Sequence, residues 1–496
     1  MQMPLTKAEQ AAELAERNKP SKNQLKKIRK DEKKKRKKAI KQGKRKGRKL
    51  PKKTASFNSL KQINLDAAGL DIGAFEIYAC VPEGRDKKNV QIYKTFTADL
   101  NDLADWLGQC GIKTVAMEST GVYWIPIYEI LDNRGFDVNL INARQIKNVP
   151  GKKTDIIDCQ WIQQLHTYGL LSSSFRPEED MCALRSLVRQ REMLVKYRSF
   201  HIQHIQKNME MMNIKLCSVL KDITGKTGMN IIRAIVNGER DTVKLAQFRD
   251  PRCFSSEDEI AKSLEGNYKS EHLFGLKQAL QLYDDYTGHV NSCDLEIERN
   301  YSAFKIRKGD SDLAPLPKKP IKSKKNKPHF DLRSDLYQVC GVDLTMIDGI
   351  DVLTAQKVIS EIGLDMGKWE TVKHFASWLG LCPCNKVSGG RVLGKGSKKV
   401  ANRASLALRV AARSLHGSKS ALGAFYRRMR AKHGPMKANL AAAHKMARII
   451  YFMMKRKTPY EDPGEKYYQK KYKNRVLKNL KAKAASMGFN LEPIEA

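Results

Sequence analysis

The sequence predicts an α/β domain, followed by a long helical arm and a mainly α-helical C-terminal domain. Three observations predict this organisation. Between residues 57 and 176, short apolar runs bounded by turn residues alternate with helical patterns, as strands and helices do in α/β domains. Two long stretches, 178–215 and 271–305, keep apolar residues at helical spacing. Helical patterns return at residue 333 and continue to about residue 460.

The elements of the α/β domain follow a definite order. The predicted elements are strands at 69–72, 76–82 and 90–96, a helix at 98–111, a strand at 112–118, a helix at 121–135 and a strand at 136–142. Gly135 ends the second helix, and Pro126 must lie in its first turn. A further helix begins near residue 155. Three strands, a helix and then alternating strands and helices is the order of the ribonuclease-H-like fold.

Four acidic residues lie where such a fold places metal ligands. Asp71 lies in an apolar stretch that is predicted to be a strand, and Glu118 is the last residue of another predicted strand. Asp155 and Asp158 are three residues apart, so they share one face of a helix. Taken alone, each of these acids is more simply explained as a surface charge or a helix cap. Asp66 is an alternative to Asp71 as the first metal ligand, although it precedes the strand. Together they predict a Mg²⁺ site of two ions, with Mn²⁺ as a substitute, for chemistry on phosphates.

The middle of the chain predicts an arm. The helices at 178–215 and 271–305 are expected to pair as an antiparallel hairpin or a coiled coil. The stretch between them has no pattern that assigns its fold. Residues 307–332 are rich in Pro and Lys, which is typical of a linker.

The C-terminal domain contains two motifs that suit phosphate binding. Residues 347–363 have the pattern of a helix-hairpin-helix, whose turn at Gly349 would present backbone N–H groups to a phosphate. Residues 382–405 place Ser388 before two glycines and among cations. The candidate nucleic-acid-binding residues here are Lys386, Gly389, Gly390, Arg391, Lys395, Lys398, Lys399 and Arg403. Ser388 is either a nucleophile or a simple hydrogen-bond donor, and Ser397 is the second candidate nucleophile.

The charge of the chain predicts a polyanionic partner. The net charge is +39 over 496 residues, and nucleic acid is the usual partner of so basic a chain. Residues 21–54 hold 19 Lys and Arg against two acids, which predicts a disordered basic extension over residues 1–56. A second basic run, 464–485, carries interleaved tyrosines within a basic tail at 461–496. The ten cysteines have no zinc-site spacing, and no apolar stretch is long enough to span a membrane.

The motifs together resemble a known family. GLDIGAFEIYACVPEG, AMESTGVYWIPIYEIL and VPGKKTDIIDCQWIQQL are similar to the catalytic domain of the DEDD transposases of bacterial insertion sequences, relatives of the Piv-type DNA invertases. IDGIDVLTAQKVISEIG and LGLCPCNKVSGGRVLGKGSKKVANRASLAL resemble the second domain of that family. The resemblance covers about residues 60–215 and 335–455.

The resemblance implies a fold, a site and partners. It implies a RuvC-like domain whose acidic tetrad is Asp71, Glu118, Asp155 and Asp158, and a catalytic serine at Ser388. It also implies a structured guide RNA, the bridge RNA, which pairs with donor and target double-stranded DNA. Members act as oligomers, expected here to be a dimer or tetramer, in which the tetrad of one subunit meets the serine of another. A bacterial or archaeal cytoplasm, in association with the nucleoid, is the expected location.

The predicted domains are 1–56, a basic extension; 57–176, RuvC-like; 177–306, the arm; 307–332, a linker; 333–460, the serine-bearing domain; and 461–496, a basic tail. The leading functional hypothesis is an RNA-guided recombinase that cuts and rejoins DNA through a phosphoserine intermediate. One alternative is a metal-dependent endonuclease of the junction-resolvase type, which cuts by water attack. The other is a nucleic-acid-binding protein without catalysis.

Overall fold

A computed structural model describes residues 61–119, 121–142, 154–308, 313–316, 326–394, 396 and 402–492. The predicted basic extension 1–56 and the basic loop 143–153 lie outside these residues. The chain divides into two compact units, residues 1–175 and 176–496.

The first unit is a five-stranded mixed sheet with helices. Its strands are β1 (Ala67–Ile72), β2 (Glu76–Cys80), β3 (Val90–Lys94), β4 (Thr114–Glu118) and β5 (Asp137–Ile141), and its helices are α1 (Thr97–Gln109), α2 (Trp124–Asn133) and α3 (Asp155–Thr167). The strand order is β3-β2-β1-β4-β5, with β1, β4 and β5 parallel and β2 antiparallel to both of its neighbours. The predicted succession of strands and helices is confirmed, and the topology is consistent with a RuvC-like fold.

The two faces of the sheet are covered by different helices. Alternate residues such as Leu70 and Met117 point to one face, where they join an apolar core with residues of α1 and α2. The other face carries Ala116 and is packed against Ile162 of α3. The central strands β1 and β4 are therefore buried on both sides, which explains their largely apolar sequences.

Gly69 allows α3 to lie directly on β1. A Cβ atom at this position would be 2.3 Å from the backbone nitrogen of Gln163 and 2.6 Å from the carbonyl oxygen of Cys159. Real Cβ atoms essentially never come this close to a non-bonded atom, so any side chain here would push α3 away. The glycine thus sets the distance between α3 and the sheet.

The second unit begins with the arm. Helices α4 (Glu179–Met211) and α9 (Ser270–Lys308) are its long members, and between them lie α5 (Leu216–Val219), α6 (Lys226–Val236), α7 (Thr242–Ala246) and α8 (Glu257–Ser263). The short helices occupy the stretch whose fold the sequence did not predict. They share one apolar core with the adjoining ends of α4 and α9.

Helices α4 and α9 are antiparallel. Arg191 of α4 binds Asp294 of α9, and Tyr197 contacts Tyr286 with ring centroids 5.8 Å apart. Farther along α4, Asn208 lies against Gly275. The residue numbers of the contacts therefore increase along α4 as they decrease along α9, which confirms the predicted antiparallel pairing. The coiled coil remains a prediction.

The C-terminal part of this unit is mainly helical. Its helices are α10 (Leu332–Cys340), α11 (Val352–Ile362), α12 (Val372–Trp378), α13 (Arg403–Ser414), α14 (Ala421–His433), α15 (Pro435–Arg456) and α16 (Gly464–Ala485). A small hairpin of β6 (Lys386–Ser388) and β7 (Arg391–Gly394) precedes α13. Within 347–363 the structure has a turn at Gly349 and one helix, α11, so the helix-hairpin-helix stays a prediction. None of the helices in the described ranges has both the length and the apolar character needed to cross a lipid bilayer.

Arginines of α4 connect the arm to the C-terminal helices. Arg185 donates to the carbonyl oxygens of Ser360 and Glu361 at 3.0 and 2.8 Å. Arg189 binds the Glu361 carboxylate through two nitrogens at 2.8 and 2.7 Å. Paired contacts of this kind orient both partners, because the guanidinium plane matches the carboxylate. The base of the arm is therefore fixed on α11.

Candidate active site

Asp71 and Glu118 lie side by side at the same edge of the sheet. The parallel register pairs Leu70 of β1 with Met117 of β4, and Asp71 and Glu118 are the next residues of each strand. Neighbouring strands are about 4.8 Å apart. Side chains two residues apart in a strand point to the same face of the sheet. Asp71 therefore points to the same face as Gly69, and Glu118 to the same face as Ala116, which is the face that α3 covers.

Asp155 and Asp158 lie in the first turn of α3. Thr154 caps this helix, its hydroxyl accepting a hydrogen bond from the Ile157 N–H at 3.3 Å. Asp155 is exposed and Asp158 is half-buried. Acids in a first helical turn also interact favourably with the helix dipole, so they stabilise α3 whether or not they bind a metal.

Electrostatic effects on two side chains indicate what lies near Asp71 and Asp155. The pKa of Tyr78 is raised by its hydrogen bond to Glu76, by desolvation, and by the charges of Glu76, Asp155 and Asp71. The pKa of Cys159 in α3 is raised by its contact with Cys80 and by burial, and the charge of Asp71 adds to the effect. Asp71 therefore faces α3, and Asp155 lies near the β1–β2 edge.

The donor set fits a hard divalent cation. The four acids offer only carboxylate oxygens, which Mg²⁺ and Mn²⁺ prefer. In the part of the chain that the structure describes, no three His, Cys, Asp or Glu side chains form a ready metal-binding group. The side chains thus share a face and an edge without being drawn together around a common point.

Asp66, the competitor of Asp71, lies before β1 at the opposite end of the strand. It binds Arg85 at 2.5 Å and Lys113 at 3.2 Å, and these hydrogen bonds lower the pKa of the Asp66 carboxyl. At the same end, the buried His166 lies 2.9 Å from the Thr114 hydroxyl. Contacts within the protein therefore account for both Asp66 and His166.

Ser388 ends β6 at the tip of an exposed hairpin. It pairs with Arg391 across a turn of Gly389 and Gly390, whose φ angles are +55° and +73°. Two consecutive positive φ angles are typical of a tight hairpin turn and favour glycine at both positions. Ser388 is exposed to solvent at this position.

The structure describes only some of the other candidate phosphate-binding residues. Lys395, Ser397, Lys398 and Lys399, and the side chain of Lys386, lie outside the described residues. Arg403 binds Glu192 of α4 at 3.4 Å. Gly349 has a φ angle of +89°, and a Cβ there would lie 2.9 Å from the Ala411 carbonyl oxygen. The packing of the turn on α13 thus already accounts for this glycine.

Two residues of β2 belong to the acidic edge but were not predicted. Tyr78 is directly opposite Asp71 in the antiparallel register and therefore points to the same face. Glu76, two residues earlier, accepts a hydrogen bond from the Tyr78 hydroxyl at 3.0 Å. The alternation in EIYAC shows that both residues share a face, but only the pairing with β1 shows which face it is.

Comparison with known proteins gives two matches. Residues 68–214 match a family model described as DEDD_Tnp_IS110, a transposase, and this range includes all four acids. Residues 343–427 match a model described as Transposase IS116/IS110/IS902 family, and this range includes Ser388. No curated protein matches the chain. The two matched ranges occur in the order that the sequence motifs predict.

Proposed function

Because the chain belongs to the IS110 family of DEDD transposases, which cut and recombine DNA, we propose that it exchanges DNA strands through Mg²⁺ at the acidic tetrad and a covalent bond to Ser388. The observation that carries the proposal is the edge shared by Asp71 and Glu118, on the sheet face where α3 presents Asp155. A DEDD domain implies dependence on a divalent metal. Mg²⁺, and two ions rather than one, are the finer proposal.

The acids and the serine have separate tasks. Asp71, Glu118, Asp155 and Asp158 would hold the metal. When bound, the metal polarises the scissile phosphate and reduces its negative charge. The rigid docking of α3 at Gly69 keeps the helical acids at a constant distance from the strand acids.

The serine step conserves the phosphodiester. The Ser388 oxygen bonds to the scissile phosphorus while the bond from phosphorus to the leaving DNA oxygen breaks, and the serine proton is released as the leaving oxygen takes one up. A DNA hydroxyl then attacks the phosphoserine, which restores a DNA diester and the free serine. Arg391, paired with Ser388 in the hairpin, is placed to interact with the phosphate charge.

We further propose that the complete site forms between subunits. The tetrad and Ser388 belong to different compact units of the chain. The Ser388 hairpin also exposes Val387, Val392 and Leu393, at 58%, 48% and 72% of their surface. Apolar side chains at the tip of a hairpin are suited to docking on another surface. A dimer or tetramer in which the hairpin of one copy meets the acidic edge of another uses both features.

RNA guidance rests on charge and on the family. The net charge of +39 is far more than one DNA-binding site needs. We propose that a structured RNA occupies much of the basic surface and selects donor and target DNA by base pairing. A preparation treated with RNase is expected to lose recombination. Recombination at full rate after complete RNA removal would contradict guidance.

The decisive experiment is a search for a protein–DNA adduct that survives denaturation. Wild type is expected to form it in Mg²⁺ but not in EDTA. Ser388→Ala is expected to abolish the adduct, while Ser397→Ala, the matched control, keeps it. Asp71→Asn is expected to stop both the adduct and cleavage. An adduct that persists in Ser388→Ala and disappears in Ser397→Ala would move the nucleophile to the second serine.

The alternative is cleavage by water at the same acids. Among the described residues, no side chain forms a hydrogen bond with the Ser388 hydroxyl, so no base for its activation is in contact. On this alternative, Ser388→Ala cuts DNA as well as wild type does. Free 5′-phosphate ends without any adduct would establish water as the nucleophile.

A further inference from the structure

The basic C-terminal run folds as a helix that lies on the surface. Helix α16 packs against α14, yet none of its residues is buried. It carries eight Lys and Arg residues and one acid, Glu465. A helix that buries so little gains little stability from packing. Its charge and its position therefore call for another explanation.

Helices α14, α15 and α16 bring five cations and three aromatic rings together. We call this group the C-terminal basic cluster; its members are Arg428, Lys445, Arg448, Lys471 and Arg475, with Phe425, Tyr468 and Tyr472. The Arg428 guanidinium lies 4.1 Å from the centroid of the Tyr472 ring. The Lys445 nitrogen lies 4.0 Å from that of Phe425. All five cations follow residue 427, where the second family match ends.

Among the described residues, no acidic side chain neutralises the cations of the cluster. The pKa of Lys445 is lowered by burial and then by the positive charges of Arg428, Arg448, Arg475 and Lys471. In the described ranges, no carboxylate forms an ion pair with any of the five, and the nearby Glu465 is bound to Arg427 at 2.8 Å. Aromatic rings offset only part of such repulsion.

Arg428 has a further unsatisfied group. Its Nε atom is buried and has no hydrogen-bond partner within the described part of the chain. A buried donor without a partner is unfavourable, and a guanidinium pairs well with two oxygens of a phosphate. Half-buried cations held against rings, with donors left over, are suited to an anion that reaches them from solvent.

We propose that the C-terminal basic cluster binds the phosphate backbone of an unpaired nucleic-acid strand, which then follows α16. A helix of 22 residues is about 33 Å long, so its cations can accompany several successive phosphates. A free phosphate ion would use only the cluster. Tyr467 and Tyr472 remain 52% and 36% exposed, and aromatic rings between cations are typical of proteins that bind single strands, because unpaired bases stack on them.

The test compares two charge variants of the full-length protein. Arg428→Gln/Lys445→Gln removes two cations from the cluster, and Lys221→Gln/Lys277→Gln removes two exposed cations from the helical arm. Affinity is measured for a 20-nucleotide single strand, as RNA and as DNA, over a range of salt concentrations. Each phosphate contact with a single strand contributes about 0.7 to the slope of log K against log salt. The slope is negative, so the cluster variant is expected to reduce its magnitude by about 1.4, and the control to leave it unchanged.

A second variant separates binding from folding. Lys471→Gln/Arg475→Gln changes only exposed side chains of α16 and is expected to weaken binding in the same direction while the thermal midpoint stays constant. Equal slopes for the cluster variants and the control would overturn the proposal. A loss that is as large with a duplex of the same length would overturn the assignment to an unpaired strand. The readout is binding of a single strand, which requires no cleavage, so this result is independent of the proposed catalytic step.

Discussion

Replacing Gly69 by alanine tests whether the close packing of α3 on β1 positions the acidic tetrad. The new Cβ would lie 2.3, 2.6 and 2.7 Å from three atoms, all of them backbone atoms of α3. Carbon atoms normally approach heavy atoms to about 3.5–4.0 Å, so α3 must move by about 1 Å or more. No side-chain rotation relieves the contact. Overpacking in a core costs about 1–3 kcal/mol, and we expect the upper end of this range.

The displacement has a local and a functional readout. Amide hydrogen exchange within 155–167 is expected to accelerate in Gly69→Ala, because α3 separates from the sheet. DNA cleavage is expected to fall by about 100-fold, the effect of a misplacement of about 1 Å between catalytic groups. Gly108→Ala is the matched control, because a Cβ there meets nothing within 4 Å, and it is expected to stabilise α1 by up to about 1 kcal/mol. Wild-type exchange and stability in Gly69→Ala would refute the argument.

Two further predictions concern buried charge. The side chains of Arg191 and Asp294 are 7% and 5% exposed. Arg191→Met is therefore expected to destabilise the arm by about 3–5 kcal/mol in urea unfolding, and Arg191→Met/Asp294→Leu to recover most of this loss. Equal losses in the two variants would contradict the pairing. Burial lowers the pKa of His166 below the usual histidine value, so the unfolded chain binds more protons and stability falls as the pH drops below about 6.5. Thermal midpoints at about pH 7.5 and 5.5 are expected to differ less in His166→Gln than in wild type, and an unchanged difference would exclude His166 as the cause.

Local features of the sequence predicted the elements of the α/β unit. Apolar runs and turn residues predicted β1 to β5 and the helices between them, because the period of burial is a local property. Pro126 was expected in the first turn of its helix, and it is the third residue of α2. The predicted strands at 76–82 and 90–96 end two residues earlier, at Cys80 and Lys94. Strand ends depend on pairing with neighbours, which local patterns do not contain.

The spacing of apolar residues was least useful for predicting helices where the helices are short. The four helices between α4 and α9 have 4 to 11 residues, too few for an apolar period to repeat clearly. Their shared core includes Met212 and Ile214, which join them to the end of α4. This packing, rather than the propensity of each segment, explains why they fold. The basic run 464–485 was expected as a tail, and the structure instead has α16 packed on α14.

By itself, the sequence determined the chemistry available to this transposase: four acids at the ends of strands and at the start of a helix, a serine before two glycines, and a large positive charge. The tertiary structure decided which of these groups meet. The parallel register of β1 and β4 places Asp71 beside Glu118, and the approach of α3 at Gly69 brings Asp155 to the same edge. Helix packing likewise assembled the C-terminal basic cluster from residues up to 50 positions apart. Register and helix docking join distant segments, and for that reason no local pattern of residues contains them.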